Sequence, residues 1–346
     1  MPWSNVLIII TIEAVLGFVC GKVLIPCFRK FKTGKYDIYI GDRFAKDGSE
    51  PKFGGVIIAI PLITGAVISI AFISGDFEIG AGNDGQKIIS AIIFSLLLMA
   101  AGLIDDWLND VRKNALGLRS GIKLISEFII CLCFLLWLNI FCGDSDTAIL
   151  LPFRLGYLDF KLFYYPLTAV GMTITINAVK LHDCFGKDTR NGTDGLCAVT
   201  AMIFSLVFAV CGNISGKLFL SALGYISAAA VMGFLFWGMS PSKIYLGESG
   251  ALLLGGLISA LAVVSQLHLL IFMVGAGFLI DSLCTLIQYA VFRKRKKLVF
   301  KGVSLHNHWK EKGFSDYKII FIFSCITVIG GIAGMIFTVY STNFSF

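Results

Sequence analysis

Two adjacent aspartates, Asp105 and Asp106, close an apolar run in the segment GLIDDWLND. Two carboxylates side by side at a water-facing helix end repel each other unless a cation or a proton donor compensates them. The bland alternative is a solvated turn. A second polar run, NAVKLHDCFGKDTRNGTDGL at 177–196, gathers Asn177, His182, Asp183, Asp188, Asn191 and Asp194 around three glycines. Such a loop can offer backbone N–H groups to phosphate and carboxylates to a hard metal ion.

A third group, YLGESGALLLGG at 245–256, puts Glu248 and Ser249 at the start of an apolar run. There Ser249 reads equally well as a helix cap and Glu248 as an acid matching the helix dipole. The last group, SLHNHWKEKGFSD at 304–316, holds His306 and His308 around Asn307. No Cys or Glu completes a zinc set of usual spacing, so contact with phosphate or sugar is the better functional reading. The neighbouring Trp309 and Phe314 could seat this segment at a membrane interface. The run Arg293 to Lys297 serves either as an anionic-lipid contact or as a topological anchor.

The elements that must carry these groups are apolar. The chain has 346 residues, of which 57% are hydrophobic and only 15% charged, with a mean hydropathy of +0.84. Soluble enzymes, disordered chains and disulfide scaffolds are excluded. Because the apolar runs are continuous rather than alternating, the expected fold class is all-α: a polytopic membrane bundle forming one domain over residues 1–346. Ten spans are expected near 5–26, 54–75, 88–106, 122–142, 162–181, 195–212, 218–238, 249–265, 268–292 and 319–341. The first is read as a retained span rather than a signal peptide. Ten cysteines, mostly inside these runs at no metal-like spacing, are read as reduced and packed.

Alternate connections hold 24 and 4 of the 29 Lys and Arg residues. The basic set (27–53, 107–123, 180–194, 239–248 and 293–318) is therefore expected to be cytoplasmic, with both termini on the other side. All the chemical-looking groups above fall on that basic side. Basic residues so placed speak for orientation and lipid contact, not for nucleic acid. Within the spans, Glu13, Glu127 and Asp281 are the clearest ionisable residues. They trace no proton relay, no inverted repeat accompanies them, and Asp281 is read as helix packing or polar pairing with no assigned role. A transporter, the outside alternative, would depend on Glu127 or Asp281 rather than on the loops.

Taken in order, GSEPKFGG, IDDWLND, NAVKLHD…NGTDGL, YLGESGALLLGG and SLHNHWKEKGFSD resemble the bacterial phospho-N-acetylmuramoyl-pentapeptide transferases, within the superfamily of polyprenyl-phosphate N-acetylhexosamine-1-phosphate transferases. The resemblance covers almost the whole chain. It implies transfer of phospho-MurNAc-pentapeptide from UDP-MurNAc-pentapeptide to undecaprenyl phosphate, giving lipid I and UMP, with Mg2+, at the cytoplasmic face of a bacterial inner membrane. It further implies catalytic roles for Asp105, Asp106 and Glu248, and a metal set of Glu248, Asp194 and Asp183. Contacts to substrate are implied for Lys46, Lys113, Asn177, Asp183, Asp194, Tyr245, His306 and His308. The bilayer is the other partner, and a homodimer is left open. A sister enzyme using another UDP-sugar, or a paralogue that binds polyprenyl phosphate or nucleotide with little turnover, are the alternatives.

The chain departs from the family pattern at several points. Glu248 stands for the usual Asp, Asn109 for a lysine, Gly121 for a Lys or Arg, and Asn307 for the middle histidine. In the polar run Lys180 replaces an Asn, Cys184 replaces a Gly, and about eight extra residues separate Asp183 from Asp194. Glu248→Asp is expected to preserve or raise activity.

Overall fold

The computed structural model describes residues 3–30, 50–74, 83–110, 120–143, 146–151, 156–183, 193–296 and 298–342. Among the described residues, ten helices are long and apolar enough to cross a membrane, and the chain is a multi-pass helical membrane protein. The helices are α1 (Trp3–Lys30), α2 (Gly54–Ser74), α3 (Asn83–Asp110), α4 (Ser120–Cys142), α5 (Tyr164–Asp183), α6 (Leu196–Ile214), α7 (Leu218–Gly238), α8 (Gly247–Val264), α9 (Leu270–Val274), α10 (Ala276–Arg295), α11 (Leu305–Glu311) and α12 (Asp316–Thr342). The short α9 and α11 do not span.

Burial sorts the spans by position. In α8, 94% of the most apolar window is buried, against 28% in α4. A helix apolar all round belongs in the centre of a bundle, and α8 packs on α3, α5 and α2, with α7 against α6, α1 and α2. Small residues permit that closeness: Gly255 faces the backbone of Ile176 in α5, and Gly256 faces Ser95 in α3. Close backbone approach at small residues is the usual way membrane helices gain packing without a hydrophobic driving force.

One expected span is corrected, and two connections carry structure of their own. The run at 268–292 is not one helix, because α9 stops at Gly275 and α10 restarts at Ala276. The connection at 143–161 contains a small antiparallel hairpin, β1 (Ala148–Leu150) against β2 (Tyr157–Asp159), pairing Ala148 with Asp159. The last basic connection is partly helical: α11 is capped by Ser304, whose Oγ accepts the Asn307 N–H at 3.4 Å. Trp309 and Phe314, expected at a membrane interface, are half-buried. They pack with Phe323, Ile319, Ile320 and Leu196, which fixes α11 to α12 and α6.

Candidate active site

Each span reverses direction, so the C-terminal ends of α3 and α5 lie at the same end of the bundle as the N-terminal ends of α4 and α8. The polar groups meet there. The start of α8 is held by its neighbours. Gly54 N–H donates to Tyr245 O at 3.0 Å and Tyr245 N–H to Pro51 O at 2.9 Å. Gly247 has φ +72, and a Cβ there would strike the Lys52 carbonyl. On the other side, a Cβ on Gly102 would come within 2.7 Å of Ser249 Cα, and one on Gly55 within 2.7 Å of Gly250 N. The glycines of PKFGG and MAAGLIDD therefore let α2 and α3 close on the helix start that carries Glu248.

Asp106 uses that proximity. Its Oδ1 accepts the Glu248 N–H at 3.3 Å and its Oδ2 the Ser249 N–H at 3.0 Å. The first turn of α8 thus receives its acceptor from α3, a carboxyl group placed at the positive end of the helix, where the sequence alone offered Ser249 as a cap. Asp105, also buried, accepts a 2.6 Å bond from Lys123 Nζ. Lys123 reaches on to Glu248 Oε1 at 3.5 Å, and Lys180 pairs with the same oxygen. Four turns of four helices are joined in one charged network.

Asn177 and Glu127 extend it. Asn177 Nδ2 donates to Glu127 Oε2 at 2.5 Å and to the Thr173 carbonyl at 2.9 Å, so its amide is engaged inside the bundle. Asp183 and Asp194 line one pocket with Thr193, Gly195, Tyr245 and Leu246. Asp194 Oδ2 accepts the Ser242 N–H at 3.2 Å. Burial first, and then the carboxylates of Asp194 and Glu50, raise the Tyr245 phenol above its usual range, leaving a neutral hydroxyl at neutral pH. Asp183 also lies within electrostatic reach of Glu248, Asp106 and Asp194.

The two histidines part company. His306 is fully buried, with Nδ1 at 2.7 Å from Asp281 Oδ2. It presents no side-chain surface to a substrate. His308 is half-buried; its Nδ1 accepts the Lys301 N–H at 3.0 Å. Partial burial, and then the charges of Lys312 and Lys301, hold its imidazole below the usual range. Lys46 and Lys113 lie outside the described residues, as do Cys184, Asp188, Asn191 and the side chain of Asn109.

Two participants carried no assigned role in the sequence. Lys123 occurs two positions after the uncharged Gly121, and its signal was a lysine on the first turn of an apolar span. Asp281 was signalled only as a lone acid in a span, which burial explains as readily as function.

Comparisons with known proteins place the chain in a family. The family described as Glycosyl transferase family 4 matches residues 88–266, a stretch that includes Asp105, Asp106, Asn177, Asp183, Asp194, Tyr245 and Glu248. A phospho-N-acetylmuramoyl-pentapeptide-transferase of Clostridium botulinum (strain Eklund 17B / Type B) is 31% identical over 324 residues, covering 92% of each chain. Those of Caldicellulosiruptor bescii and Halalkalibacterium halodurans are 29% and 28% identical, over 94% and 97% of this chain and 95% and 98% of their own. The chain belongs to the phospho-N-acetylmuramoyl-pentapeptide-transferase family, within glycosyl transferase family 4.

Proposed function

We propose that the chain transfers phospho-MurNAc-pentapeptide from UDP-MurNAc-pentapeptide to undecaprenyl phosphate, releasing UMP and forming lipid I at the cytoplasmic face of a bacterial inner membrane. The observation that carries this reading is the convergence of Asp105, Asp106, Lys123, Lys180 and Glu248 at one end of the bundle. The excess of Lys and Arg in the connections at that end supports its cytoplasmic placement.

The reaction joins a lipid phosphate oxygen to the sugar-bearing phosphorus and breaks that phosphorus's bond to the UMP oxygen. Both substrates are anions, so the site must bring them together and hold the charge that moves to the leaving phosphate. Lys123 and Lys180 supply two ammonium groups on facing helices. Asp106 holds the α8 start in place, and Asp105 sets the direction of Lys123. We place the uridine end of the donor beside Tyr245, which lines a small pocket with Asp183 and Asp194.

Mg2+ is the cation that the family implies. Carboxylate oxygen is the donor a hard cation prefers, and Glu248, Asp106 and Asp194 lie within electrostatic reach of Asp183, while among the described residues Lys123 and Lys180 form ion pairs only with Asp105 and Glu248. Glu248, Asp183 and Asp194 would hold it, and when bound it neutralises charge on the pyrophosphate oxygens.

The deciding experiment supplies purified protein in detergent with undecaprenyl phosphate, Mg2+ and either UDP-MurNAc-pentapeptide or UDP-N-acetylglucosamine, following UMP release and lipid-linked product. Product from the muramoyl donor alone is the expected result. Product from the other sugar alone would move the chain to a sister activity. No product from either, beside an active control enzyme, would overturn the assignment.

A further inference from the structure

A second buried polar cluster lies beside the site and is not used by the chemistry above. Asp281, in α10, is fully buried, accepts two backbone N–H groups and faces two imidazole nitrogens. Its Oδ1 takes the backbone N–H groups of Leu305 (2.9 Å) and His306 (3.2 Å) at the start of α11. Its Oδ2 lies 2.9 Å from His182 Nδ1, in the last turn of α5, and 2.7 Å from His306 Nδ1. Both rings are enclosed: His182 meets the edges of Phe278 and Phe323 at 5.0 and 4.8 Å, and neither histidine side chain is exposed. Next to it, Ser282 Oγ donates to the Ala178 carbonyl at 2.8 Å, a second tie between α10 and α5.

The three side chains bring ligand-capable atoms within 4.8 Å of one another, so a transition-metal site must be weighed. Oδ1 of Asp281 already accepts two backbone N–H groups, and Oδ2 lies at hydrogen-bond length from two imidazole nitrogens, for which a carboxylate is the natural acceptor. That is the coordination of a saturated carboxylate, in which a buried charge is compensated by donors. A metal site would instead turn lone pairs toward a common centre.

We infer that Asp281 is a positioning residue: with His182 and His306 it forms a buried hydrogen-bonded brace that fixes the end of α5, hence Asp183 and the nucleotide pocket wall, against α11. The inference rests on the reading of that pocket as the donor site. His182 immediately precedes Asp183, so a shift of the ring carries Asp183 with it. Asp183 shares the pocket with Asp194 and Tyr245, whereas the Lys123–Asp105 and Asp106–Ser249 contacts sit on other helices. Loosening the brace should therefore weaken donor binding more than the chemical step, the signature of lost binding common to ground and transition states.

The test compares the full-length wild type with Asp281→Asn, His182→Ala and His182→Asn in detergent, measuring KM for the UDP-sugar, kcat, amide exchange, thermal unfolding and bound metal. His182→Asn keeps an N–H donor near the place of Nδ1. Asp281→Asn and His182→Ala are expected to raise KM about tenfold with kcat within about threefold, and His182→Asn to recover most of that loss. Amide exchange should quicken in 178–183 after either change, and in 304–311 for Asp281→Asn alone. Unchanged KM with kcat falling only in step with the folded fraction would overturn the inference. So would His182→Asn as impaired as His182→Ala, or one equivalent of transition metal that Asp281→Asn releases. If the wild type turns over neither UDP-sugar, the proposed reaction fails on its own, and the brace is judged by amide exchange: no change at 178–183 and 304–311 would dispose of it.

Discussion

Lys180 and Glu248 form an ion pair between the last turns of α5 and the first turn of α8. Both residues are among the departures from the family pattern that the sequence resemblance implied, Lys for Asn and Glu for Asp. The longer acid and the new base meet at one oxygen, which Lys123 also approaches. The pairing revises the expectation that Asp at 248 would preserve or raise activity, because a carboxylate shorter by one methylene would draw away from Lys180.

We expect Glu248→Asp and Lys180→Asn each to lower kcat at least about tenfold, since misplacement near 1 Å costs about 10²-fold. The double variant should recover much of the loss, with a coupling of about 1–3 kcal/mol. A double-mutant cycle of kcat/KM checks this, and strictly additive losses would show that the two changes are independent.

Asp105→Ala and Asp106→Ala should both abolish turnover, yet differ in stability. Asp106 alone satisfies two N–H groups at the start of α8, and losing such an acceptor costs about 0.5–2 kcal/mol. Thermal unfolding of the two variants in detergent should rank Asp106→Ala as the less stable. Full activity in either would remove that residue from the mechanism.

Lys123→Gln should lower kcat by about 10²-fold, the scale for one lost electrostatic donor, while the variant remains folded. Steady-state kinetics beside thermal unfolding tests it. A variant with wild-type kcat would reduce Lys123 to a counter-ion for Asp105.

At the opposite end of the bundle, His268 Nε2 meets the Tyr164 hydroxyl at 2.8 Å, and burial, against weaker raising effects of the Gln266 backbone and Asp146, holds its imidazole down to about 4. Folded, the ring stays neutral to about pH 4; unfolded, it protonates below about 6.5. The unfolded chain then binds more protons, so this contribution to stability falls as pH drops from about 6.5 to about 4 and is flat above. Unfolding midpoints across that range should fall less steeply for His268→Gln. An identical slope would assign the acid sensitivity elsewhere.

Hydropathy alone determined ten spans and one basic side, because a lipid environment leaves long apolar helices as the only continuous solution. The order of short polar motifs determined the family, and Asp105, Asp106 and Glu248 were legible because acids at helix ends stand out against apolar runs. Partnerships were not legible. Nothing local says that Asp106 would accept the N–H of Glu248, 142 positions later, that Lys123 would turn to Asp105, or that His306 would turn inward to Asp281 while His308, two residues on, would not. Those choices belong to tertiary structure: they depend on which helix ends glycine contacts allow to approach, and on how each buried charge finds donors once water is gone.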